Sequence, residues 1–131
     1  MQGHSTSSIC SIAQKAAVAA LEGPVDYLDE MRTAFLRRRD MAMDIISSWD
    51  KAVCPTPDGA FYLFVDVHAY YGNQIHNSTE LCTWLLDTAH VALVPGAAFG
   101  DDACIRFSYA VADDVLASAL GRVGDALAGL K

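Results

Sequence analysis

Residues Pro24 to Asp50 carry a helical pattern too long for the domain that the rest of the chain can build. Pro24 suits the first turn of a helix, where its missing N–H is not needed. Leu28, Met31 and Phe35 then form one apolar stripe. Ala42, Ile45, Ile46 and Trp49 form a second stripe in nearly the same phase. Between the stripes lies Arg37-Arg38-Arg39-Asp40, charged on every side. At ~1.5 Å per residue such a helix is about 40 Å long. A compact domain of this size has a radius of gyration of about 14 Å. The two stripes are therefore expected to serve two cores, one of them supplied by a partner domain. The arginine run reads as a solvated helix face, with a recognition patch as the alternative.

The segments on either side complete an α+β pattern. After the polar stretch Ser5–Ser8, Ile9 to Leu21 is rich in alanine and reads as a helix stopped at Gly23. Beyond Pro55-Thr56-Pro57-Asp58-Gly59 the period changes, and Ala60 to Asp66 reads as a buried aromatic strand. A loop runs through Tyr71-Gly72-Asn73. Ser78 or Thr79 can cap a helix whose inward face is Leu81, Trp84, Leu85 and Ala89. Val91–Val94 reads as a short strand ended by Pro95-Gly96, and Ala103–Tyr109 as another. Asp113-Asp114 opens a last helix, where acidic residues suit the N-terminal dipole. Val115, Leu116, Leu120, Val123 and Leu127 give its apolar side. The order is two helices, strand, helix, two strands, helix, with helices covering a small sheet.

Composition narrows the class of function. The 131 residues are 53% hydrophobic and 19% charged, which fits one globular domain with its own core. The formal net charge of −7 should repel nucleic acid and anionic membrane surfaces. No apolar run approaches a bilayer span, and no secretory signal opens the chain, so a cytoplasmic location is expected. Cys10, Cys54, Cys82 and Cys104 are spread apart and read as reduced, buried thiols. His68 and His76 have no acidic or thiol partner at ligand spacing, so no metal site is expected.

Three features could carry chemistry. Arg106 lies inside an otherwise apolar strand. Alternation places Ile105, Phe107 and Tyr109 on one face and Cys104, Arg106 and Ser108 on the other. A guanidinium there must find an anion, and its planar fork suits a carboxylate held by two parallel hydrogen bonds. A structural ion pair with Asp101, Asp102 or Asp66 is the other reading. The second feature is the loop Val94-Pro95-Gly96-Ala97-Ala98-Phe99-Gly100, just before the Arg106 strand, which reads equally as a plain connection. The third is Gly59-Ala60-Phe61-Tyr62 at the start of a strand, where aromatics read as core or as ligand contacts.

Together these segments resemble a known family. Ser5-Thr6-Ser7-Ser8 leading into Ser11-Ile12-Ala13-Gln14, then Pro57 to Tyr62, then Val94 to Gly100 followed by Ile105-Arg106-Phe107-Ser108-Tyr109-Ala110 occur in one order. This is similar to the C-terminal third of class I (fold type I) pyridoxal-phosphate-dependent aminotransferases, close to the bacterial aspartate aminotransferase branch. The glycine loop with the arginine strand is the specific part. The resemblance implies an α+β small domain with a mostly antiparallel sheet of about three strands and a long N-terminal domain-connecting helix. Residues 1–131 would form that single domain, and residues 1–23 could belong to the large-domain side.

The resemblance also implies roles. Arg106 matches the arginine that pairs with the substrate α-carboxylate. Phe61 and Phe99 match positions around the substrate pocket. Ser7 and Ser8 match a loop near the subunit boundary, where the family often has Asn-Pro in place of Ser8-Ile9. The family's Schiff-base lysine lies upstream of the matching region. None of Lys15, Lys51 and Lys131 stands in its serine-lysine context. The chain alone is thus expected to be inactive and to bind no cofactor, with no catalytic residue of its own. Its parent is expected to be a homodimer that uses pyridoxal 5'-phosphate, amino acids and 2-oxo acids, and a large domain absent here. Two alternatives stand beside this: an autonomous non-catalytic module that binds amino acids or dimerises, and the small domain of a lyase or synthase of the same cofactor family.

Overall fold

The computed structural model describes residues 8–72 and 74–130. Ser5, Thr6, Ser7, Asn73 and Lys131 of the sequence reading lie outside the described residues. Four α-helices are described: α1 (Ser11–Glu22), α2 (Asp26–Ser47), α3 (Ser78–Ala89) and α4 (Asp113–Ala128). Three strands join them: β1 (Tyr62–Asp66), β2 (Val94–Pro95) and β3 (Cys104–Ser108). The fold is α+β, with an antiparallel sheet in the order β1-β3-β2. The chain divides into two compact units, Met1–Thr33 and Ala34–Lys131, and α2 runs from one into the other.

In the first unit every residue of α1 is exposed. Ile12 and Leu21 are 81% and 85% exposed, so the apolar side of this helix has no core of its own. Gly23 closes the helix by donating its N–H to Ala19 O at 3.0 Å. A Cβ at Gly23 would lie 2.6 Å from that same oxygen, so a side chain there would displace the turn. Leu28 and Met31, from the first stripe of α2, are also exposed.

The second unit contains the core. Ala42, Ile46 and Trp49 come from α2 and the turn after it, Leu81, Leu85 and Ala89 from α3, and Leu116, Leu120, Val123 and Leu127 from α4. They pack with Leu63 and Val65 of β1 and Ile105 and Phe107 of β3. The register pairs Leu63 with Phe107 and Val65 with Ile105, so these four share one face of the sheet. Each such side chain withdrawn from water contributes ~1.5–3 kcal/mol. Phe35 meets Tyr109 edge-on at 6.0 Å, which draws the last residue of the first stripe into this core.

Several boundaries differ from the sequence expectation. Helix α2 ends at Ser47, short of Asp50, because Ser48 and Trp49 donate back to Ile45 O and Ile46 O in a tightened final turn. Strand β2 is Val94–Pro95 and not Val91–Val94. His90 adopts the left-handed conformation, φ 54°, at the end of α3, and the chain reaches β3 only at Val94. Pro95 is tolerated because β2 is an edge strand. Asn77, not Ser78 or Thr79, caps α3, accepting from Glu80 N at 2.9 Å. Val115 is 53% exposed, since the inward stripe of α4 runs through 116, 120, 123 and 127 and leaves 115 to one side.

The arginine run is more than a solvated face. The Asp113 carboxylate accepts from Nε of Arg37 and of Arg38 at 2.8 and 2.7 Å, tying α2 to the start of α4. Arg39 pairs with Asp40 and donates to Pro57 O. No described helix is long and apolar enough to cross a membrane.

Candidate functional site

Arg106 sits in the middle of β3, with Phe64 of β1 and Val94 of β2 as its cross-strand neighbours. Its face of the sheet is the one opposite Leu63, Val65, Ile105 and Phe107. The guanidinium carbon lies 4.6 Å from the Phe99 ring centroid and 5.3 Å from that of Tyr62. Phe64 braces Phe99 edge-on at 6.2 Å. The guanidinium carbon thus lies over both rings, and a cation–π contact of this kind uses none of the N–H donors in a hydrogen bond.

Among the described residues the Arg106 side chain has no carboxylate partner. The three acids that could have formed a structural pair are all engaged elsewhere. Asp66 accepts from His68 Nδ1 and backbone N, Asp101 from Ala103 N, and Asp102 from Ser78. A half-buried guanidinium whose N–H donors meet no carboxylate among the described residues has the fork geometry that suits a planar anion.

The turn that carries Phe99 is shaped by glycine. Gly96 is buried, and a Cβ there would stand 2.2 Å from both Asp101 O and Cys104 O. Gly100 has φ 87°, which only glycine adopts without strain. At the other margin Ala60 has φ 66°, strained for a residue with a side chain. A shallow hollow of about 200 Å³ opens there, lined by Pro57, Gly59, Ala60, Tyr62 and Phe64 among others.

Arg106 and Phe99 are therefore in direct contact, whereas Phe61 stands one ring away. Phe61 is exposed and meets Tyr62 edge-on at 6.0 Å, while its carbonyl accepts from Tyr109 N. Tyr62, which the sequence placed in the Gly59–Tyr62 motif but not at the substrate site, and Phe64, which it did not single out, are the β1 residues that share a face with Arg106. Strand parity was the signal available for them, but it needs the β1–β3 register, which the sequence does not print.

The remaining polar groups lie outside this cluster. His68 and His76 do have acidic partners, Asp66 at 2.7 Å and Glu80 at 3.0 Å, yet the described residues contain no group of three metal-ligating side chains. Cys10 is exposed, contrary to the expectation of buried thiols, and Cys54 is half-buried. Cys82 and Cys104 are buried, and burial pushes their thiols up to about 11 and about 12. Lys15 is an exposed residue of α1. Lys51 lies over the Tyr70 ring at 5.8 Å, lining a separate cavity of about 540 Å³ with Trp49 and Gly124. Neither the Arg106 contacts nor the adjoining hollow includes a lysine amine, so these residues do not fit a covalent anchor for an aldehyde cofactor.

A family model described as aminotransferase class I and II matches residues 1–123. The chain belongs to that family. It is 44% identical to a bifunctional aspartate aminotransferase and glutamate/aspartate-prephenate aminotransferase of Petunia hybrida, over 100% of the chain and 29% of that protein. It is 41% identical to an aspartate/prephenate aminotransferase of Cereibacter sphaeroides, over 99% of the chain and 34% of the relative. The crystal structure of an aspartate aminotransferase from Rhizobium meliloti superposes with a TM-score of 0.90 at 40% identity, covering 99% of the chain and 34% of that structure. The chain thus spans about a third of the length of the relatives it matches.

Proposed function

We propose that the chain is the C-terminal small domain of an amino acid aminotransferase and that Arg106 holds the substrate α-carboxylate. The observation that carries this is the Arg106 guanidinium, flanked by Phe99 and Tyr62 and without a carboxylate partner among the described residues. A carboxylate in the plane of the fork takes two parallel N–H···O bonds. The flanking rings hold that plane in place and keep water from its faces, so the carboxylate arrives in one orientation and the amine is aimed by it. Phe61, at the outer margin, extends the apolar wall beyond Tyr62. In the complete enzyme pyridoxal phosphate supplies the electron sink for amino transfer to a 2-oxo acid. Its lysine anchor and phosphate cradle belong to a large domain outside this chain.

The exposed apolar residues of the first unit support such a domain. Ile12 and Leu21 of α1 and Leu28 and Met31 of α2 are surfaces that a further two-thirds of polypeptide would cover. The parent is a homodimer in the cytoplasm on this reading. Aspartate is the favoured amino donor, because the Petunia, Cereibacter and Rhizobium relatives carry it in their names.

The decisive experiment is steady-state kinetics of the full-length enzyme with Arg106→Lys and Arg106→Ala. Losing two charge-assisted hydrogen bonds should lower kcat/KM for the amino acid by roughly 100-fold or more. Lysine should restore part of the loss as a point charge without the fork. Wild-type kinetics in both variants would refute the carboxylate role.

A further inference from the structure

We propose that Ser78 and Asp102 are positioning residues that tether the Phe99 turn over Arg106, joining the start of α3 and the carboxylate site into one piece. The proposal rests on the reading of Arg106 as the carboxylate anchor. Ser78 is 0% exposed and is the buried polar side chain of the described core. A hydroxyl withdrawn from water is costly unless bonded, and both of its bonds leave the helix. Its Oγ donates to Asp102 Oδ1 at 2.5 Å and accepts from Ala97 N at 3.2 Å. One hydroxyl therefore holds both ends of the Ala97–Asp102 segment, with Phe99 between them.

Capping does not explain this serine, because Asn77 already caps α3. The Ser78 N–H turns instead to Asp102 Oδ1 at 3.0 Å, so a carboxylate from a distant part of the chain satisfies an amide of the first turn. The negative charge suits that end of the helix dipole. These bonds hold the Asp102 carboxyl below the usual carboxylate range. Tyr71 adds a fourth tie, donating its hydroxyl to Asp102 O at 2.7 Å. Phe99 needs such ties because its own ring is half exposed and is not fixed by core packing. Besides the edge-on contact with Phe64, what sets its place over Arg106 is the backbone on either side.

The test compares Asp102→Ala with Asp102→Asn in the full-length enzyme. Asp102 is exposed, so neither change empties a core position, and asparagine keeps the Oδ1 acceptor. Two quantities are read: amide hydrogen exchange over residues 97–102 and the KM for the amino acid. Alanine should speed exchange in that segment by about 10-fold while α4 is unchanged, since a charge-assisted bond closing the loop is lost. KM should rise several-fold more than kcat falls, and asparagine should restore most of both. Unchanged exchange in the alanine variant overturns the tether, as does a loosened loop with unchanged KM in an enzyme whose Arg106→Lys variant has a raised KM. If Arg106→Lys itself leaves KM unchanged, the carboxylate reading fails, and the exchange data alone decide whether Ser78 and Asp102 hold the turn.

Discussion

Gly124 lies against the indole of Trp49, so that a Cβ at position 124 would stand 2.6 Å from Nε1. Although a cavity borders it, the indole cannot move without disturbing the core. It is buried, and its ring meets Phe107 at 5.7 Å in the middle of the core. Three residues earlier in the same helix, Gly121 is exposed and a Cβ there meets nothing within 4 Å. Helix propensity favours alanine at both positions by up to ~1 kcal/mol. At Gly121 that gain stands alone, and Gly121→Ala should raise stability by about 0.5–1 kcal/mol. At Gly124 overpacking of ~1–3 kcal/mol outweighs it, and Gly124→Ala should lower stability. Urea midpoints moving in opposite directions would bear this out; parallel shifts would show that Trp49 yields freely.

Asp113 makes the acid limb of stability predictable in sign. Hydrogen bonds from Arg37 and Arg38 pull its carboxyl down to about 2. An unfolded aspartate titrates near ~3.9. A group whose folded value is depressed contributes stability that is present above the unfolded value and is lost as the pH falls through the folded one. The difference between wild type and Asp113→Asn should therefore be constant above about pH 5. It should shrink between about pH 4 and 2. The groups are solvent-facing, so added salt should shrink the same difference at neutral pH. A difference independent of pH and salt would mean that the pair of arginines does not hold this carboxylate in solution.

The parts of the fold legible in the sequence are those with many repeats of one period. Leu116, Leu120, Val123 and Leu127 mark the inward stripe of α4 without ambiguity, and Ala42 and Ile46 do the same for α2. Strand β2 was not legible because two residues offer no period. Its start depends on where α3 ends, and His90 ends α3 in a left-handed conformation more often supplied by glycine. The acceptors at the start of α3 show a similar limit. Asn77 is a local cap, but Asp102 reaches the same turn from 24 residues away, and no local pattern announces that. In the site, a charge in an apolar strand pointed to Arg106 directly. The aromatic cradle was half legible. Phe99 precedes β3 on a turn that glycine shapes, but choosing between Phe61 and Tyr62 requires knowing which β1 parity faces Arg106.

That parity makes a test of its own. The β1–β3 register opposes Phe64 to Arg106 and Tyr62 to Ser108, so Tyr62 is on the Arg106 face while Phe61 is not. The Tyr62 ring approaches the guanidinium at 5.3 Å, and an interaction of this type is worth ~0.5–2 kcal/mol, depending on how dry the site becomes. Tyr62→Leu removes the π face while keeping an apolar side chain, and should raise KM for the amino acid in the full-length enzyme by roughly 3- to 30-fold. Tyr62→Phe keeps the face and should stay within about 2-fold of wild type, because no hydrogen bond of the Tyr62 hydroxyl is found among the described residues. Phe61→Leu, which touches Arg106 only through Tyr62, should fall between the two. A Phe61→Leu variant more impaired than Tyr62→Leu would mean that the substrate contacts the outer ring and that the inner one serves only to brace the sheet.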